Sequence, residues 1–164
     1  MKSNKVGRAY LPFLGGFTLG VLLTCVGVVV GIRSMMVVRY ESPKSFDETV
    51  AAVEQAIKDN GWVSPGTMNM NKSLAKHGVH FAPKVRLVQA CKAPYAAKVL
   101  ADARHMATMM PCRFAVYEGQ DGKVHIAKLN TGLMGKLFGG TVAEIMGGKV
   151  AVDEEKILRS ILGK

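Results

Sequence analysis

Arg113-Phe114-Ala115-Val116-Tyr117-Glu118 and Lys123-Val124-His125-Ile126-Ala127-Lys128 are two alternating runs separated by Gly119-Gln120-Asp121-Gly122. Residues two apart on a strand share a face, so each run can bury one side and wet the other. The Gly- and Asp-bearing turn between them folds the pair into an antiparallel hairpin. Working outward, Val85-Arg86-Leu87-Val88-Gln89-Ala90 fits a further strand, and Trp62-Val63 begins another extended segment. Met35-Met36-Val37-Val38-Arg39-Tyr40 reads as a first strand stopped by Ser42-Pro43.

Helices are interleaved with these strands. Ser45 with Glu48 forms a capping box, Phe46, Val50, Val53 and Ile57 make an apolar stripe at helical spacing, and Gly61 ends the run. Asn71 to His77 reads as a short helix closed by Gly78. Pro94 opens another, with Tyr95, Val99 and Leu100 on its inner side, as far as about Met106. The stretch 132–148 is Gly-rich, with Leu133, Met134, Leu137, Phe138, Val142, Ile145 and Met146 as its apolar members. It reads as a core-covering helix, or as an amphipathic element that docks on a partner or a membrane. Asp153 is expected to cap a final helix bearing Ile157, Leu158, Ile161 and Leu162. The pattern implies an α+β domain with helices packed on a mainly antiparallel sheet.

The hydrophobic share of the 164-residue chain is 49%, high for a water-soluble domain, and the excess lies at the start. Residues 9–32 carry no charged side chain. As a helix such a run covers about 36 Å, against a hydrocarbon core of about 30 Å. Cleavable signal peptides have shorter apolar regions and small-residue cleavage sites, and Ile32-Arg33-Ser34-Met35 offers none. The organisation expected is a short basic tail at 1–9, a transmembrane helix at 10–32, a juxtamembrane segment with the first strand at 33–44, and the α+β domain at 45–164. Lys2, Lys5, Arg8 and the terminal amine precede the helix, while Arg33, Arg39 and Lys44 follow it. That bias places the amino terminus in the cytoplasm and the domain on the periplasmic or extracellular side. Gly16 and Gly20 are four apart on one face, a spacing that lets two membrane helices approach, although Gly is common in such helices on any face.

Cys25 lies inside the apolar run, which leaves Cys91 and Cys112 to the domain, each where a strand meets another element. They could form a disulfide or a thiol-dependent redox or sulfur-transfer site, helped by Lys92 and Arg113 directly after them, or they could be two buried thiols that never meet. A metal could recruit His77 and His80, or His105 with Met106, Met109, Met110 and Cys112, a soft set that suits reduced copper. No CxxC or HExxH motif supports this, and methionine at such spacings is more often core. There is no Walker loop, GxSxG elbow or GxGxxG fingerprint, and the 12 acidic residues are scattered, with Asp153-Glu154-Glu155 read as the favourable start of a helix. No catalytic residue and no resident cofactor are expected. Beyond the apolar run, 19 Lys and Arg face 12 Asp and Glu, net +7. This charge suits anionic headgroups, whereas its dispersal and the scarcity of aromatics argue against nucleic acid.

Taken together, the 46–60 helix, Leu74-Ala75-Lys76-His77-Gly78-Val79, the strand running into Cys91-Lys92-Ala93-Pro94-Tyr95-Ala96, and Met110-Pro111-Cys112-Arg113-Phe114-Ala115-Val116-Tyr117-Glu118 resemble the domain-of-unknown-function family 302, as a membrane-anchored member. The family's Cys-Asn-Pro element is altered here by Lys92 and Ala93, and Met110 stands where Leu is usual. The resemblance spans roughly residues 46–130, more loosely to 162, and carries over Cys91, Pro94, Pro111 and Cys112. It implies a compact α+β fold, dimers in some relatives, occasional anchors or fusion to haem-binding electron-transfer domains, and no agreed activity. The resulting expectation is a single-pass anchored accessory or binding domain whose partners are the bilayer, a protein of membrane redox or sulfur-handling machinery, and a second copy in a homodimer.

Overall fold

The computed structural model describes residues 6–163, with side chains described at 19–31 and 34–163. The chain divides into two compact units at Met35 and Met36. The first is a helix, α1 (Val6–Met36). Nothing between Gly31 and Met36 breaks a helix, so Met35 and Met36 extend it rather than opening the strand expected there. Its Leu19–Met36 stretch has a mean hydropathy of 2.0 and is nowhere buried, long and apolar enough to cross a membrane by length and composition. A Cβ built on Gly20 meets nothing within 4 Å. The surroundings of Gly16, and the tail at 1–5, lie outside the described residues.

The second unit is a five-stranded sheet, order β1-β5-β4-β3-β2, from β1 (Val37–Glu41), β2 (Thr67–Asn69), β3 (Val85–Ala90), β4 (Cys112–Glu118) and β5 (Val124–Leu129). All pairings are antiparallel, with Ala115 facing Ala127 in the hairpin and Val37 facing Leu129 at the edge. The first strand is thus an integral edge of the sheet. Alternation sorts the side chains as the sequence implies: Val88, Phe114, Val116 and Ile126 are fully buried.

Helix α2 (Phe46–Asp59) starts where the capping box predicts, the Glu48 carboxylate accepting from the Ser45 backbone N–H at 3.0 Å and from its hydroxyl at 2.5 Å. Gly61, at φ +70°, ends it in a conformation that only glycine adopts cheaply. Helix α3 (Met70–Ala75) is short and is capped by Asn69. Helix α4 (Ala93–Asp102) stops earlier than expected, and a tighter 3₁₀ segment, Arg104–Met109, carries the chain to a cis Met110–Pro111 bond. The tighter turn brings Met106 into the core.

The Gly-rich stretch is core-covering. It forms α5 (Thr131–Phe138), a turn α6 (Gly140–Val142) and a π-helical segment, Ala143–Val150, that runs unbroken into α7 (Ala151–Leu162). Asp153 is therefore no cap, because the helix is already under way at Val150, and its carboxylate is used elsewhere. Val142, Ile145, Met146 and Val150 are buried with Ile157, Leu158 and Ile161, over the sheet face that also receives α2. Gly135 of α5 meets Gly147 of the π segment backbone to backbone: a Cβ on Gly135 would lie 2.3 Å from the Gly147 nitrogen. Gly135→Ala is therefore expected to force the two segments apart and cost about 1–3 kcal/mol, the usual range for overpacking. Equilibrium unfolding in urea checks this, and an unchanged midpoint would show that the contact is slack.

Candidate functional site

The hairpin's alternation places Lys128 in phase with Ile126, on the covered face, although lysine is seldom buried. Its counterpart is Glu154, which occupies a core position of α7 in phase with Val150, Ile157 and Leu158. The two residues are 8% and 2% exposed, and the amine Nζ lies 2.9 Å from Glu154 Oε2. The Thr131 hydroxyl donates to the same oxygen at 2.6 Å, and Cys112 borders the same cavity as this carboxylate. A carboxylate inside a protein is tolerable only when its lone pairs are used. Among the described residues no buried side-chain nitrogen or oxygen lacks a partner.

Cys112 opens β4 and retains some surface, yet enough protein surrounds it to leave the thiol poorly solvated. Burial pushes it from the ordinary value of 9.0 up to about 12, reinforced by the charge of Glu154 and opposed only by Lys128. At neutral pH it is a protonated thiol, the reverse of the activated thiolate that neighbouring positive charge would produce.

A second charged cluster lies beside the first, one residue earlier on α7. Lys92, the residue before α4, places its Nζ 2.8 Å from Asp153 Oδ2, which also accepts from Trp62 Nε1 at 3.2 Å. The amine sits over two rings, 5.8 Å from the Trp62 centroid and 4.9 Å from that of Tyr95, which meet edge to face. Burial pushes the Asp153 carboxyl up, but the hydrogen bonds from Lys92 and Trp62 outweigh it and hold the group below its usual range. The same bond to Asp153 raises Lys92.

The candidate residues from the sequence fall unevenly around these clusters. All three cysteines are free thiols. Cys112 faces Ala90 across the ladder, on the covered side. Cys91, one residue on, alternates to the other side, where it pairs with the exposed Val63. The two nevertheless border one apolar cleft of about 30 Å³, together with Trp62, Tyr95, Pro111 and Met146. Pro94 sits exposed in the first turn of α4. His77, His80 and His105 are all exposed. Among the described residues no three His, Cys, Asp or Glu side chains gather as a metal-holding group. Of the methionines considered with His105, Met109 borders a second cavity with Cys112, and Met106 is core.

Glu154, Lys128 and Thr131 escaped the sequence reading. The signal was present, because a Glu at helical spacing among Val150, Ile157 and Leu158, and a Lys in phase with Ile126, are charges at core positions.

Fold and cluster together define an α+β domain whose five antiparallel strands carry helices on one face, with a thiol, a carboxylate and an amine held beneath them. The family model described as "Domain of unknown function DUF302" matches residues 38–161, so the chain belongs to the DUF302 family. Among solved structures it is similar to the uncharacterized conserved protein DUF302 from Bacillus stearothermophilus, at 16% identity and a TM-score of 0.69, covering 77% of this chain and 98% of that one. At that identity the likeness is one of fold. No curated protein matches the chain.

Proposed function

We propose that the protein is a single-pass, membrane-tethered DUF302 domain that serves as an accessory or binding subunit, without catalytic activity of its own, beside membrane redox or sulfur-handling machinery on the periplasmic or extracellular side. The observation that carries the tether is the unburied apolar helix, Leu19–Met36, on a chain whose remaining residues build their own core. An apolar stretch of that length, with none of it buried, is suited to lipid. The protein partner and the homodimer rest on the resemblance to anchored and haem-fused relatives.

Membranes from cells expressing the full chain, washed with alkaline carbonate, are expected to retain it, while a chain beginning at Ser34 is released. An alkaline-phosphatase fusion at Lys164 is expected to be active. Full-length chain in the wash would remove the tether, and an inactive fusion would reverse the side. Recurrent co-purification of one membrane complex would name the partner.

The thiol-exchange alternative is supported by the cleft that Cys91 and Cys112 share. It is weakened by their opposite faces and by the raised Cys112 thiol. Iodoacetamide at pH 7.5 is therefore expected to label Cys91 well before Cys112. Rapid labelling of both, with the loss of two thiols when an added disulfide oxidises the protein, would favour exchange chemistry over the accessory reading.

A further inference from the structure

Beside the apolar cleft, and sharing Pro111, Cys112 and Met146 with it, lies a second cavity of about 60 Å³. One water needs only about 10–15 Å³ by the same measure, so the space exceeds a single solvent molecule. Its walls include three sulfur-bearing side chains, Met109, Cys112 and Met146, with Thr131, Glu154 and the exposed Arg113 as the polar members. These come from three separate elements: the 3₁₀ segment, the start of β4 and the π segment.

We propose that this cavity binds one monovalent soft cation, Cu(I), through the Cys112 sulfur and the Met109 and Met146 thioethers. Thiolate and thioether donors select reduced copper over harder divalent ions. Charge bookkeeping selects in the same direction. At rest the cluster holds Glu154 as carboxylate against the Lys128 amine 2.9 Å away, with Cys112 neutral beside them. Binding breaks the Cys112 S–H bond and forms a sulfur–copper bond. The proton is released to solvent. No oxidation state changes. One positive charge replaces another, so the buried cluster keeps its net charge. A divalent ion would leave an extra, uncompensated positive charge in the same poorly solvated space. The site stands independently of the tether, since every residue in it belongs to the second unit.

The test uses the full chain in detergent micelles, without oxygen, with Cu(I) supplied as its complex with a chromogenic chelator. One equivalent is expected to transfer to the protein, with one proton released per ion. Cys112→Ser is expected to weaken binding by at least about 100-fold. Met109→Leu and Met146→Leu, which conserve volume and so spare the fold, are each expected to weaken it about tenfold. Cys91→Ser should leave it unchanged. Should the serine variant unfold, copper K-edge absorption of the wild-type protein decides: a sulfur shell is expected, and a nitrogen or oxygen shell overturns the proposal. Wild-type affinity no greater than that of Cys112→Ser, or Zn(II) held as tightly as Cu(I), would also overturn it. None of these outcomes bears on carbonate extraction, so this site and the tether fail separately.

Discussion

Replacing Glu154 by alanine is expected to destabilise the domain by about 3–5 kcal/mol, the cost of leaving a buried amine without its counter-charge. Lys128 is 8% exposed and its nearest carboxylate is the one removed. The Thr131 hydroxyl loses its acceptor at the same time. Against a total stability of roughly 5–15 kcal/mol, that removes a large fraction. The loss belongs to the broken pair and not to the carboxylate alone. Lys128→Met with Glu154→Leu, which removes both charges at similar volume, is therefore expected to recover most of it. Urea unfolding followed by far-ultraviolet circular dichroism measures both proteins. A single-variant cost below about 1 kcal/mol would mean that water reaches the pair.

The second large effect is alkaline. Folding raises the Cys112 thiol from 9.0 to about 12. Below about pH 9 both folded and unfolded chains hold this proton, and the contribution of Cys112 is fully present. Above it the unfolded chain releases the proton and the folded one keeps it. Stability then falls by roughly 1.4 kcal/mol for each pH unit, until the folded thiol ionises as well. Over the interval this amounts to about 4 kcal/mol. Tyr40, raised by burial and by Glu155, and Lys92, raised by Asp153, also lose stabilisation as pH rises. The measurement is therefore the difference between wild type and Cys112→Ala. The wild-type curve is expected to descend more steeply between about pH 9 and pH 12. Parallel curves would show that the thiol is solvated.

The sheet and most helices were legible in the residues because local rules and tertiary demands agree there. The 113–128 hairpin alternates with a period of two, and the Ser45–Glu48 box sits at the first turn of an amphipathic stripe. The Gly-rich stretch was harder. Glycine lowers helix propensity, and only the facing backbones at Gly135 and Gly147 explain why small residues are needed. Asp153 was misassigned because an acidic residue near a helix start satisfies a capping rule and an ion-pair rule alike. Its partner, Lys92, lies 61 residues away in sequence. The buried cluster was missed for a related reason. Charged residues are ordinarily placed on the surface, and Glu154, Lys128, Thr131 and Cys112 converge only once α5, α7 and the hairpin have packed.

Trp62 is the chain's single tryptophan. Its indole N–H points at Asp153, an ammonium group hovers over its ring, and Cys112 and Met146 share the cleft that it borders. Its emission therefore belongs to one known corner of the molecule, where charge, sulfur and helix ends come together. Whatever docks or titrates there will change the colour or brightness of an intrinsic lamp, so the protein can be interrogated without any added label.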